Sequence, residues 1–152
     1  MKIISHRGNI DGPREKKENR PSYIDCAMNL GYDVEVDIRY ENNNFWLGHD
    51  TPDYKIEHTW MNLRKEKLWF HCKDLLSCIK LLEIGINFKY FCHTNDDFVL
   101  TSTNHIWVHD LSDIINDKCI IPLLDKKSTL DQKNHKIYNP YAVCTDYPRL
   151  IV

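Results

Sequence analysis

The sequence has no apolar run long enough to cross a bilayer, no surplus of basic residues, no closely spaced cysteine pair and no internal repeat. Each absence excludes something. Without ~20 consecutive apolar residues there is no transmembrane helix to place. A formal net charge of −2 at pH 7 leaves no cationic excess to neutralise a phosphate backbone, which argues against a nucleic-acid binder. Cys26, Cys72, Cys78, Cys92, Cys119 and Cys144 form no CxxC pair and lie in apolar segments. They read as buried free thiols of a cytoplasmic protein rather than as a disulfide framework. Met1-Lys2-Ile3-Ile4-Ser5-His6 runs straight into a short strand, so no signal peptide is expected. A GxSxG elbow, a Walker A loop, a Rossmann fingerprint and zinc-finger spacing are all missing.

What is present is ordinary in bulk and unusual in one stretch. Hydrophobic residues make up 42% and charged residues 28% of 152 positions, the balance of a single soluble domain spanning residues 1–152 with a core of its own. From Tyr32 to Asp50 the chain reads Tyr-Asp-Val-Glu-Val-Asp-Ile-Arg-Tyr-Glu-Asn-Asn-Asn-Phe-Trp-Leu-Gly-His-Asp. Val34, Val36 and Ile38 alternate with Glu35, Asp37 and Arg39, so a strand here carries two carboxylates and a guanidinium on one face. Neighbouring carboxylates repel unless a cation or a shared proton offsets them. A turn at Glu41-Asn42-Asn43-Asn44 then brings Phe45-Trp46-Leu47 back and delivers His49 close to the acidic pair.

The remaining elements follow from periodicity. Lys2 to His6 is a strand, and Asn9 to Pro21 a charged loop. Ser22 with Asp25 predicts a capping box for a helix that ends at Gly31. A short helix is expected near Thr59 to Lys65, a strand over Lys67 to Lys73, and a helix capped by Asp74 and stopped by Gly85. Strands are expected over Phe88 to Cys92, Ile106 to His109, Cys119 to Leu124 and Ala142 to Thr145, with a short segment at Phe98 to Ser102 and a polar loop from Lys126 to Tyr138. Strands alternating with helices imply βαβ units and a parallel sheet. Seven or eight strands with only two convincing helices favour a reduced TIM-like (β/α) barrel whose other helices are shortened to loops. The tension is size, since such barrels usually need ~250 residues. His6, Arg7, Asp37, Arg39, Lys73, His93 and Asp146 fall at strand C-terminal ends, where parallel α/β folds place their sites.

His6-Arg7-Gly8, Glu18-Asn19-Arg20-Pro21, Glu35-Val36-Asp37, Gly48-His49-Asp50, Phe70-His71-Cys72-Lys73 and Cys144-Thr145-Asp146-Tyr147-Pro148 follow one another along the chain. In this order they resemble the glycerophosphodiester phosphodiesterase family, within the phospholipase-C-like barrels. The resemblance implies a divalent cation and cleavage of a small phosphodiester by two histidines. It implies His6 and His49 as general acid and base, Arg7 and Lys73 as phosphate ligands, Glu35 and Asp37 as metal ligands, and Glu18 as an organising residue. Oxygen ligands suit Mg²⁺ or Ca²⁺, and histidine titrates near neutrality as both proton transfers require. The chain departs from the family's pattern at His71, where an acidic metal ligand usually stands. Its imidazole ligates a softer cation such as Mn²⁺ or Zn²⁺, supports the ligands from behind, or packs as a hydrogen-bonded histidine. Hence there are two readings: a small metal-dependent phosphodiesterase, or a catalytically impaired relative that binds a phosphate-bearing ligand.

Other signals are weaker. Asp146 either orients a histidine or caps a loop. His105 and His109 would pair on a helix, but their segment reads as a strand. Trp107 either lines the mouth or packs in the core, and His93 and Asn95 border the expected site. Arg14, Lys16, Lys17 and Arg20 form a basic loop, read as solvated.

Overall fold

The architecture is a mixed, mainly parallel sheet curled on itself, seen in a computed structural model that describes residues 1–85, 87–112 and 114–151. Its strands are β1 (Lys2–His6), β2 (Asp33–Glu41), β3 (Asn44–Leu47), β4 (Tyr54–Ile56), β5 (Leu68–Cys72), β6 (Lys89–Cys92), β7 (Phe98–Leu100), β8 (Ile106–Val108), β9 (Cys119–Pro122) and β10 (Ala142–Thr145). The helices are α1 (Pro21–Asn29), α2 (His58–Arg64), α3 (Leu75–Ile84), α4 (Lys126–His135) and α5 (Pro148–Ile151). Parallel pairing runs β6-β5-β2-β1-β10-β9-β8. The two ends of this series meet where Phe91 of β6 stacks on Trp107 of β8 with ring centroids 4.1 Å apart, and where Ser102 N donates to Tyr90 O at 2.9 Å. The result is a partial TIM-like barrel. Where a closing strand and its helix would lie, the antiparallel β7–β8 hairpin stands instead. The described residues between β8 and β9 also form no helix. Trimmed connections of this kind fit a barrel into 152 residues.

Alternation along each strand becomes inside and outside of the curl. Val34, Val36 and Ile38 of β2 and Leu68, Phe70 and Cys72 of β5 pack outward against Ile24, Ala27 and Leu81 of the covering helices. Ile4, Trp69, Phe91, Trp107, Ile120, Ala142 and Cys144 fill the interior. Below this apolar layer, at the N-terminal ends of the strands, Asp33 accepts from Trp69 Nε1 at 3.0 Å and pairs with Lys2 and Lys89 at 3.4 and 3.5 Å. The interior is therefore plugged, and the C-terminal ends of β1, β2, β5 and β10 carry the open polar layer.

Several expectations are corrected. Arg20, not Ser22, stands at the N-cap of α1, and no side chain caps it. Pro21 starts the helix because its ring presets the helical φ and it has no N–H to leave unpaired. Asp25 is drawn instead to Arg64 of α2, at 2.7 and 2.9 Å. Lys126 to His135 is a full helix rather than a loop: Asp125 caps Ser128, Thr129 Oγ1 donates to Leu123 O, and Gln132 brackets Tyr138 through its main chain. Those anchors are polar, so no apolar period marks the helix. Only Cys72, Cys119 and Cys144 are buried, with Cys78 intermediate and Cys26 and Cys92 exposed; all six are free thiols. Among the described residues, no helix is long and apolar enough to cross a membrane.

Candidate active site

Two strands deliver the central group. The odd-numbered face of β2 turns Glu35 and Asp37 inward, and the pairing Asp37↔His71 sets β5's histidine beside them. His71 Nδ1 lies 3.6 Å from Glu35 Oε1 and 3.4 Å from Asp37 Oδ1. One donor atom from each of Glu35, Asp37 and His71 falls within 4.8 Å of the others. Two buried carboxylate oxygens, Glu35 Oε2 and Asp37 Oδ1, have no hydrogen-bond partner among the described residues. Orphaned buried acceptors are costly unless something occupies them. The mixed oxygen and nitrogen donors fit a divalent cation, with the imidazole favouring Mn²⁺ or Zn²⁺ more than an all-oxygen set would.

Around this group lies a ring of charge. Arg7 Nε approaches Asp37 Oδ2 to 2.9 Å, an ion pair whose angle is poor enough that Nε makes no hydrogen bond, while Nη1 donates to Glu18 Oε2 at 3.1 Å. Lys73 Nζ stands 3.8 Å from Asp37 Oδ1. His6 Nδ1 meets Asp146 Oδ1 at 2.8 Å, and its Nε2 faces Glu35 Oε2 at 3.9 Å. Asp146 thus orients a histidine. His6, Arg7, Glu18, Glu35, Asp37, His71, Lys73 and Asp146 form one connected network.

The electrostatics follow from this crowding. Burial opposes the charge on His71, but the carboxylates of Asp37 and Glu35 outweigh it and push its pKa up to about 9. Burial likewise opposes ionisation of Asp37, yet His71, Arg7 and Asn19 hold its carboxyl well below the usual carboxylate range. Burial lowers His6 as well, and here the Asp146 hydrogen bond and the Glu35 charge prevail, leaving its pKa raised.

His49 stands apart from this network. Its side chain is 43% exposed and its Nδ1 contacts Asp50 Oδ1 at 2.7 Å. It shares a cleft of about 340 Å³ with Arg7, Glu18 and Asn19, at the mouth rather than against the acidic pair. The loop that carries it is fixed from below: Gly48 N donates to Asp37 O at 3.1 Å, and Arg39 Nε donates to Gly48 O at 3.0 Å. Gly48 has φ +153°, and a Cβ there would meet Thr51 O at 1.9 Å, so the turn requires glycine.

Sequence reasoning missed two asparagines. Asn19 donates to Asp37 Oδ2 at 2.8 Å and accepts from Asp37 N at 2.9 Å, holding the fully buried Asp37 at both its carboxylate and its main chain. Asn9 donates to Glu18 Oε1 and Asp146 Oδ1 at 2.8 and 2.7 Å. Asn19 sits in the Glu18-Asn19 pair and Asn9 directly after His6-Arg7-Gly8, so proximity to quoted motifs was the one available signal. Among the weaker candidates, Trp107 is core, 3% exposed. His105 packs on Tyr141 at 3.9 Å, and His93 stacks on His109 at 3.6 Å, so His105 and His109 serve different neighbours. His93 borders a separate cleft next to Lys73. Arg14, Lys16, Lys17 and Arg20 are exposed, as a solvated loop would be.

No protein-family model and no curated protein matches the sequence. Among solved structures, the fold is similar to a glycerophosphodiester phosphodiesterase from Agrobacterium tumefaciens str. C58, with a TM-score of 0.60 over 99% of this chain and 98% of that one. At 12% identity the likeness is one of fold, the barrel already drawn from strand order.

Proposed function

We propose that this chain is a divalent-cation-dependent phosphodiesterase that hydrolyses a small phosphodiester of the glycerophosphodiester kind. The observation that carries the reading is the pair of orphaned buried oxygens, Glu35 Oε2 and Asp37 Oδ1, beside His71. A divalent cation held by Glu35, Asp37 and His71 would supply Lewis-acid neutralisation of the phosphodiester anion. Arg7 lines the mouth cleft, so its guanidinium offers planar donors to phosphate oxygens, and Lys73 adds a point charge from β5. His6, its Nδ1–H directed at Asp146, presents Nε2 to the reacting group and moves the proton there. His49, at the mouth, is the partner on the opposite side. The attacking oxygen comes from water or from a neighbouring hydroxyl of the substrate. The fold likeness to a glycerophosphodiester phosphodiesterase supports this substrate class.

One observation favours a second reading, a phosphate-binding protein without catalysis. With its pKa pushed up to about 9, His71 is a cation at neutral pH and, with Arg7 and Lys73, balances the carboxylates internally. Release of glycerol 3-phosphate from glycerophosphodiesters, measured with EDTA and with Mg²⁺, Ca²⁺, Mn²⁺ or Zn²⁺, separates the two. Turnover that requires a metal and is abolished by Asp37→Ala and by His6→Ala supports the enzyme. Phosphate-stabilised but inactive protein under every metal supports the binder.

A further inference from the structure

Outside this network, three thiols converge that sequence spacing does not connect. Cys72 and Cys92 are register partners at the ends of the parallel strands β5 and β6. Cys78 approaches from α3, just past the Asp74 cap. One Sγ from each lies within 4.8 Å of the others. Cys72 is on the outward face of β5, opposite to His71, so this group is separate from the carboxylate centre. It opens to solvent through a cleft of about 520 Å³ lined by Cys72, Lys73, Asp74, Cys92 and His93.

We propose that Cys72, Cys78 and Cys92 form a second metal site, for one thiophilic cation of the zinc class. A free cysteine ordinarily fills apolar space as a small hydrophobe. That explains Cys72, but not the exposed Cys92 whose cleft neighbours are charged and polar. Thiolates select Zn²⁺, Cd²⁺ or Cu⁺ over the hard cations suited to carboxylates. Three sulfurs at ~2.3 Å from one zinc ion lie about 3.8 Å apart in a tetrahedron, so the cluster need close by at most about 1 Å at its widest. Cys78 and Cys92, less buried than Cys72, are the members placed to make that adjustment. The Asp74 carboxylate is already used, Oδ1 by Ser77 N and Oδ2 by Tyr40 N. His93 Nε2 is engaged by Asp96 O. Neither residue belongs to the group of donors within 4.8 Å of one another, which leaves the fourth position to water from the cleft. Binding one divalent cation as thiolates releases one proton from each sulfur still present as a thiol. The bound cation ties β5, β6 and α3 together beside Lys73, at the edge where parallel pairing ends.

The test is a Cd²⁺ titration of fully reduced, chelator-stripped protein, followed by the thiolate-to-metal charge-transfer absorption that oxygen and imidazole ligands do not give. The expected result is saturation at one Cd²⁺ per chain. The band is lost, or affinity weakened at least tenfold, in Cys78→Ser and Cys92→Ser, since even outer residues around a metal cost roughly 10–100-fold. Cys26→Ser, on α1, should leave the band intact. Both informative positions are at least partly exposed, so folding is retained and is verified by circular dichroism. Cd²⁺ should also shield Cys92 from alkylation in the wild-type chain. Absence of the band in reduced protein, or a band that survives both substitutions, overturns the site.

Discussion

At the scale of single residues the centre is a contest between burial and charge. His71 has its pKa raised from 6.5 to about 9, so the stability it contributes is complete below pH 6.5 and lost as pH rises through 9. The advantage of the metal-free wild-type chain over His71→Gln in thermal melting should therefore be larger at pH 6 than at pH 9.5; an advantage independent of pH would contradict the charge assignment. A cation ligated by His71 competes with that proton, so metal affinity should strengthen as pH rises across the same range. In the proposed mechanism Asp146, hydrogen-bonded to His6, acts through it as a positioning residue. Asp146→Asn should lower kcat by about 100-fold with little change in KM. It should also move the His6 limb of the pH–rate profile toward acid, because Asp146 raises the His6 pKa. An unmoved limb would make Asp146 a structural residue only. The sequence displayed Glu35, Asp37 and His71 because strand alternation projects them to one face. It did not display Asn9 or Asn19, whose roles depend on contacts spanning 137 and 18 residues.

At the scale of elements, the loop after β3 decides where His49 stands. Gly48→Ala forces a Cβ onto Thr51 O at 1.9 Å, and the loop must move. We expect a loss of roughly 1–3 kcal/mol in denaturant unfolding, and a fall in kcat/KM larger than stability alone explains. Unchanged activity would mean that His49 is not needed. The Gly48-His49-Asp50 turn was legible in sequence, but its support was not. Arg39 appeared as a third charge beside the acidic pair, yet its guanidinium serves the backbone carbonyls of Gly48 and His49. The polar helix α4 was hidden for a related reason. Thr129 and Gln132, its buried residues, are anchored by hydrogen bonds, which leave no hydrophobic period to read.

For the whole molecule, the curl is closed where strand pairing stops by aromatic packing and by Ser102, whose N donates to Tyr90 O at 2.9 Å. Trp107 stacks on Phe91 and touches Trp69, bridging β8 to β6 and β5. Trp107→Ala should cost about 3–5 kcal/mol in equilibrium unfolding. A cost near zero would mean that the gap between β6 and β8 is not held by this stack. Parallel topology could be inferred from alternating elements, and the barrel from strand count. The position of the opening could not, because it depends on which strands fail to pair across the β6–β7 connection. Trimming the helices leaves the C-terminal rim of β1, β2, β5 and β10 intact, and that rim holds every residue of the central network except Glu18 and those of the adjoining turns.

The most direct measurement is Mn²⁺ binding by electron paramagnetic resonance, on chelator-stripped wild type, Glu35→Gln, Asp37→Asn and Cys78→Ser. The account predicts one Mn²⁺ per wild-type chain, lost in both carboxamide variants and retained in Cys78→Ser. Mn²⁺ that fails to bind the wild type, or binds the carboxamide variants equally well, would contradict it.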